Sequence, residues 1–395
     1  MKKYDLSPFQ DSLSCLQVNH LTEFVISSSG FKKILPFLQE DERMRTKSLK
    51  GRDFLAVTDF TREEIEIILD AAEDLKRERA RGIYHDDLLR SKTLFMIFYN
   101  QSLRTRNSFE AGITQLGGHA HYLDPSKIYT PVMEGREVAY STERVSDVAR
   151  VLDRMGDAIA IRCYGDPVDW EYGAAHAMLR EFARWADIPV INMEDDIYHP
   201  CQGLADILTV KEKFGGFSGI KFVMSWAYSP SVHKPRAVPQ SAILYATMMG
   251  MDVTLTHPKG MDLAPDILSQ CKEYSKATNG SFEIVHDFES AFEGAHVVYP
   301  KAWCATPLFQ PPIGEASEEK TQEIFEKHKD WICTKKIMDL ADKHAIYMHC
   351  LPADRGYEVA NDVMDKTEGS GWTSVIFDQA ENRLHGQNAV MTLVM

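Results

Sequence analysis

The stretch TLFMIFYNQSLRTRNSFEAGITQLGG, Thr93–Gly118, contains one complete strand-to-helix transition. Thr93–Asn100 is a nearly continuous apolar run of strand length, the pattern of a strand buried on both faces of a parallel sheet. From about Thr105 the apolar residues recur with helical period, so a helix is expected there. The first turn of a helix leaves backbone N–H groups unpaired at the positive end of its dipole. Ser102 and Thr105 add hydroxyls to that turn, and Arg104 and Arg106 add guanidiniums able to make charge-assisted bonds. These are the parts of a phosphate cradle. An ordinary capped surface helix with two solvated arginines would use the same residues, and the stretch alone leaves both readings open. Neither GxxxxGK[ST] nor a GxGxxG after the first strand occurs, so a nucleotide P-loop or a dinucleotide fold is not supported and the anion is expected to be small.

Working outward, strand and helix patterns alternate. Before the stretch, Thr61 and Glu64 form the two ends of a capping box ahead of an amphipathic helix. After it come a short strand at HAHYLD, a helix at TERVSDVARVLDRMG, the strand AIAIRCY, the helix AAHAMLREFARWA and the strand PVINM. The alternation resumes beyond the helix CQGLADILTVKEKFGG, with strands at IKFVMSWAY, DVTLTHP, FEIVHD, HVVYPKAW and AIYMHCLP. This predicts an α/β protein with two doubly wound parallel-sheet domains joined by interdomain helices near Asp195–Lys213. The first domain spans 51–195 and the second 196–377; the final helix, 378–395, packs back on the first. Residues 1–50 are polar and weakly patterned, and read as an N-terminal extension. The segment SWAYSPSVHKPRAVPQ is longer than an ordinary strand–helix connection. It falls at a strand's carboxyl end, where open α/β sheets bind ligands, although a proline-stiffened surface loop would look the same.

The chain has 395 residues, 44% hydrophobic and 26% charged, with a formal net charge of −14. That balance argues against nucleic acid or an anionic membrane as partner, yet allows a local arginine cluster to hold a small anion. No run suits a membrane span or a signal peptide. The seven cysteines, at 15, 163, 201, 271, 304, 333 and 350, include no CxxC and suit reduced thiols in a cytoplasmic protein.

Three further islands carry chemistry: Arg162 at a strand end in AIAIRCY, His199 and Gln202 three apart in YHPCQGLAD, and Cys350-Leu351 in MHCLPADR. Each also has an ordinary structural explanation. Taken in order, Ser-x-Arg-Thr-Arg, the strand-end Arg, His-Pro-x-Gln, His-Cys-Leu-Pro and the late Arg383 of ENRLH resemble the aspartate/ornithine carbamoyltransferase family over residues 50–395. The resemblance implies transfer of a carbamoyl group from carbamoyl phosphate to an amine. Ser102, Leu103, Arg104 and Thr105 would hold the phosphate, and Leu103 stands where relatives often have Thr. Arg162 would bridge phosphate and carbonyl oxygen; His199, with Thr105 and Arg162, would bond that oxygen; Gln202 and the carbonyls near Cys350 and Leu351 would receive the carbamoyl NH₂. Arg383 would approach the same point. Arg106 is expected to serve as an ion-pair partner and Cys350 as a packing residue. The resemblance requires no metal and no cofactor, and implies a homotrimer. The alternative is a catalytically silent relative that binds a phosphate ligand without turnover.

The acceptor side departs from ordinary ornithine carbamoyltransferases, which carry an acidic strand end and a Ser-Met-Gly loop where this chain has VVYPKAWCATP. Lys301 and Trp303 there, and the long Pro-containing segment, resemble the branch acting on N-acylated ornithines, which implies a trefoil knot in the second domain. That branch places an arginine two residues after the Pro of His-Cys-Leu-Pro; here Asp354 occupies the position. Lys301 suits an acceptor carboxylate and Asp354 a cationic or donating group, so Lys301, Trp303, Leu351 and Asp354 are the expected acceptor residues. The aromatic that a neighbouring subunit offers in that branch would fall near Tyr129 and Thr130.

Overall fold

The computed structural model describes residues 48–305 and 315–395; the expected extension at 1–50 lies outside them apart from Ser48–Lys50. Two parallel sheets organise the chain. The first part contains β1 (Thr93–Phe98), β2 (His119–Leu123), β3 (Thr130–Val132), β4 (Thr142–Arg144), β5 (Ala158–Arg162) and β6 (Val190–Glu194). Four of these form a sheet in the order β2-β1-β5-β6, while β3 and β4 pair separately in a short parallel ribbon that the sequence patterns did not reveal. The second part contains β7 (Lys221–Trp226), β8 (Asp252–Thr256), β9 (Ser281–Val285), β10 (Val297–Lys301), β11 (Ile346–Tyr347) and β12 (Thr373–Ser374), ordered β12-β11-β10-β7-β8-β9.

Both strand orders reverse direction once. In the first sheet the chain runs from β1 outward to β2, then returns to lay β5 on the other side of β1. In the second it runs β7, β8, β9, then returns with β10 beside β7. Such switch points leave a crevice at the strands' carboxyl ends, because neighbouring connections depart to opposite faces. The four strand ends that matter are therefore those of β1, β5, β7 and β10.

Local sequence explains the elements that frame the crevice. The Arg62–Ala80 helix begins with the reciprocal capping box read from the sequence: Glu64 N donates to Thr61 Oγ1 at 3.2 Å, and Thr61 N donates to Glu64 Oε2 at 2.9 Å. The helix after β1 starts at Leu103, two residues before the apolar period becomes visible, because Ser102 caps it. The Pro200–Phe214 helix is buried along Pro200–Val210 and ends at Gly215, whose φ of 76° is the left-handed stop that glycine tolerates. The C-terminal helix, Ile376–Val394, packs against this helix, against Arg62–Ala80 and against Leu103–Gln115. Its approach is close: a Cβ on Gly112 would stand 2.3 Å from Asn388 Oδ1. Among the described residues, no helix is long and apolar enough to cross a membrane.

Candidate active site

A cleft of about 680 Å³ opens where the carboxyl ends of β1, β5, β7 and β10 meet. On the β1 side, Ser102 caps the Leu103–Gln115 helix: its Oγ accepts from Thr105 N at 3.2 Å, while its extended backbone turns the chain into the helix. Capping uses one of the first-turn donors and leaves those of Leu103 and Arg104 for a ligand. Arg104 is partly buried beside Arg162, and burial lowers its pKa first of all, a cost that an incoming anion would offset. Arg106 points elsewhere, pairing with Glu110 at 3.1 Å and lying over the Tyr122 ring at 4.0 Å.

Arg162 ends β5 and is almost fully buried. One Nη donates to Glu194 at the end of β6, and the other donates to the Tyr164 hydroxyl at 3.0 Å. Its Nε has no partner. Burial disfavours the charged guanidinium, but the Glu194 carboxylate and Tyr164 outweigh it, so Arg162 stays charged. Glu194 Oε2 also lies 3.5 Å from His199 Nε2. His199 is the N-cap of the Pro200–Phe214 helix, and its own N–H is held by Ser241 Oγ at 2.8 Å. Burial, then Arg383, Arg162 and Arg104, push its imidazole well below the usual histidine range. A buried neutral imidazole among three guanidiniums can donate one hydrogen bond without adding charge.

The floor is an ordered set of polar side chains. Arg383, from the C-terminal helix, donates through Nη1 to Gln202 Oε1 at 2.8 Å and through Nη2 to Thr105 Oγ1 at 3.1 Å. The Gln202 amide nitrogen donates to Asp206 at 2.7 Å. Cys350, Leu351 and Pro352 close the far side, with Leu351 held at a φ of 56°, unusual for a residue with a side chain. Burial pushes the Cys350 thiol up to about 11, so it is not a thiolate nucleophile at neutral pH. Lys301 enters from the end of β10; its Nζ donates to Ala302 O at 2.9 Å and stands 3.5 Å from Glu358 Oε1. Among the described residues, no group of three or more His, Cys, Asp or Glu side chains is arranged to hold a metal ion.

Comparison with known proteins bears on both halves of this cleft. Residues 52–212 match the "Aspartate/ornithine carbamoyltransferase, carbamoyl-P binding domain", and residues 234–394 match the "Aspartate/ornithine carbamoyltransferase, Asp/Orn binding domain". The chain belongs to the aspartate/ornithine carbamoyltransferase family. It is 38% identical to the ornithine carbamoyltransferase of Thermococcus kodakarensis over 348 residues, covering 88% of this chain and 98% of that one. It is 36% identical to the N-acetylornithine carbamoyltransferase of Xanthomonas campestris pv. campestris over 363 residues, covering 87% and 98%. Among solved structures, acetylornithine transcarbamylase complexed with acetylcitrulline superposes with a TM-score of 0.78 at 35% identity, covering 87% of this chain and 99% of that one. Pyrococcus furiosus ornithine carbamoyltransferase gives 0.73 at 36%, covering 89% and 99%. Two parallel α/β domains joined by helices, as here, are consistent with the doubly wound fold of these carbamoyltransferases.

Of the residues singled out in this carbamoyltransferase sequence, Ser102, Leu103, Arg104, Thr105, Arg162, His199, Gln202, Lys301, Cys350, Leu351 and Arg383 all line the cleft. Two expected acceptor residues do not. Trp303 is fully buried in the second domain, its indole donating to Met261 O at 2.7 Å and its carbonyl accepting from Trp226 at 3.0 Å. Its aromatic bulk and its donor are used for packing. Asp354 lies outside the cleft wall and accepts from Ser229 at 2.6 Å and from Lys234 at 2.7 Å. Lys234 does reach the cleft, as do Glu194, Tyr164, Trp170 and His233. The Trp170 and His233 rings, both on the cleft lining, stand 5.0 Å apart. His233 and Lys234 belong to the long β7 connection that the sequence marked. Glu194 ends β6, one residue past the apolar run visible in the sequence, and gave no motif of its own.

Proposed function

We propose that this carbamoyltransferase moves the carbamoyl group of carbamoyl phosphate to the amine of a small carboxylate-bearing acceptor, ornithine-like or N-acylated ornithine-like, and releases phosphate. The carrying observation is the convergence, in one cleft, of a capped helix N-terminus with Arg104 and Arg162, a buried neutral His199, and Lys301 on the opposite wall. Related enzymes add support: one N-acetylornithine transcarbamylase variant is complexed with carbamyl phosphate and N-succinyl-L-norvaline.

In this reading the amides of Leu103 and Arg104, the Ser102 hydroxyl and the Arg104 guanidinium hold the phosphate. Arg162, His199 and Thr105 bond the carbonyl oxygen, and Gln202 with the Cys350-Leu351 turn and Arg383 orients the carbamoyl NH₂. The uncharged amine forms a C–N bond as the C–O bond to phosphate breaks, and the proton it loses ends on the departing phosphate. Negative charge grows on the carbonyl oxygen and on phosphate, so fixed donors at both points stabilise the transition state more than the bound substrate. Glu194 fits beside them as the carboxylate that keeps Arg162 oriented. Lys301, with Lys234, His233 and Trp170, forms the acceptor side.

Residues 51–195 with the helix at 378–395 serve the phosphate donor, and 196–377 serve the acceptor. The chain works in the cytoplasm as a homotrimer; the exposed Ile128, Tyr129, Val138 and Tyr140 around β3 and β4 support an interface between copies there. Phosphate release is the test: with carbamoyl phosphate and a panel of ornithine, acetylornithine, succinylornithine and other diamino acids, at least one acceptor accelerates release and yields a ureido product. Binding of carbamoyl phosphate with no acceptor-dependent release would favour the silent phosphate-binding alternative.

A further inference from the structure

Beneath the cleft, out of reach of any substrate, the Asp206 carboxylate collects two glutamine amides. Its Oδ1 accepts from Gln202 Nε2 at 2.7 Å and from Gln379 Nε2 at 2.6 Å, and all three residues are buried. The other end of each amide is fixed as well. Gln202 Oε1 accepts from Arg383 Nη1 at 2.8 Å, and Gln379 Oε1 accepts from the backbone N–H of His349 at 2.8 Å. A guanidinium and a backbone N–H can only donate. Both glutamine oxygens must therefore face those donors, and both amide nitrogens need one acceptor behind them. Asp206 is that acceptor.

We infer that Asp206 is a positioning residue: it sets the rotation of the Gln202 amide, so that the cleft presents Gln202 Oε1, the acceptor a primary carbamoyl NH₂ requires. The same oxygen, through Gln379, ties down His349 immediately before the Cys350-Leu351 turn. One buried side chain on the Pro200–Phe214 helix thus aligns groups from that helix, from the C-terminal helix and from the second sheet. Without it, Arg383 alone holds the Gln202 oxygen in place and the amide nitrogen is left without its acceptor, so the amide is free to shift; turned over, it would meet both Arg383 and the carbamoyl NH₂ with a donor. Burial pushes the Asp206 carboxyl up to about 7, so an isosteric amide is a close replacement for it.

This inference rests on the reading of Gln202 as the carbamoyl NH₂ receptor, and the test separates the two. Calorimetry compares inorganic phosphate with phosphonoacetamide, a stable phosphonate bearing a primary carboxamide. The wild-type chain is expected to bind the carboxamide more tightly than phosphate. Asp206→Leu is expected to bind it about tenfold more weakly, the scale of one misdirected hydrogen bond, while its affinity for phosphate stays within about twofold. Asp206→Asn, which keeps the acceptor oxygen, restores the wild-type discrimination. Asp206→Ala is measured in the same way where the leucine variant does not fold. A wild-type chain that fails to discriminate would overturn the reading of Gln202. Discrimination preserved in Asp206→Leu or Asp206→Ala, or lost in Asp206→Asn, would overturn the positioning role alone, as would equal loss of both ligands.

Discussion

Lys301 Nζ lies 3.5 Å from Glu358 Oε1, and both groups are buried. Glu358 also accepts from the backbone N–H groups of Ala302 and Asp354, at 2.7 Å each, and its other oxygen is 3.3 Å from His349. Lys301, on the cleft wall, is thus held by a carboxylate that two backbone N–H groups fix in place. Removing one partner of a buried pair strands the other charge, at about 3–5 kcal/mol. Glu358→Gln should therefore lower the unfolding free energy by an amount of that order in denaturant titration, and raise the acceptor KM. An unchanged unfolding midpoint would remove Lys301–Glu358 as a structural pair.

The same pair sets an acid limit. Burial opposes charge on Glu358, but Lys301 and His349 outweigh it and hold the carboxyl well below the usual carboxylate range. A depressed folded-state pKa contributes stability that is complete above the unfolded value of about 4.3 and is lost as pH falls below it. The stability gap between the wild-type chain and Glu358→Gln should be constant from pH 6 to 8 and narrow below about pH 4. A gap that stays constant down to pH 3 would contradict this assignment.

Arg104 stands at the helix N-terminus and is the charge closest to the expected phosphate. A charge-assisted hydrogen bond contributes about 1.5–3 kcal/mol, so Arg104→Ala should weaken carbamoyl phosphate binding by roughly 10- to 150-fold. Calorimetry with the stable phosphonate reads this directly. Unchanged affinity would remove the cradle.

His199 is neutral through the physiological range, because burial and three guanidiniums disfavour its charged form. The rise of kcat/KM with pH should follow deprotonation of the acceptor amine, with no limb near pH 6.5. His199→Ala should lower kcat by roughly 100- to 1000-fold, the scale of one lost oxyanion donor, without changing the shape of the profile. A limb near 6.5 that disappears in this variant would show that His199 titrates during turnover.

Trp170 stands against His233 on the cleft lining, on the side proposed for the acceptor. Trp170→Ala should raise the acceptor KM about tenfold through lost aromatic contact, leaving phosphonate affinity unaltered. Equal losses for both ligands would mean that the tryptophan supports the fold of the cleft rather than the acceptor.

What the sequence made legible was local. The apolar run of β1 and the Thr61–Glu64 box are interactions between near neighbours, and each matches its pattern, whereas the Ser102 cap starts its helix two residues before the apolar period shows it. The residues proposed for the phosphate side could be named because they sit in short motifs at strand ends, and the fold brings them to one cleft. Glu194 escaped notice since its meaning comes from Arg162 and His199, which reach it from another strand and from a helix N-terminus. Asp206 was hidden among helix residues because its two glutamines are four and 173 positions away. Trp303 misled for the opposite reason: an aromatic near a strand-end lysine reads as a ligand contact, yet the strand stops at Lys301 and the chain beyond it buries the ring beside His257, with its indole donating to Met261 O.

The most direct test of the account follows the carbon itself. With carbamoyl phosphate labelled with ¹³C at the carbonyl, NMR should reveal a ureido carbon on one member of the ornithine and N-acylornithine panel. One phosphate should be released per ureido group, and Arg162→Ala should abolish the signal. A wild-type chain that binds labelled carbamoyl phosphate but leaves the label unmoved with every acceptor, or one that transfers it equally well without Arg162, would contradict the account.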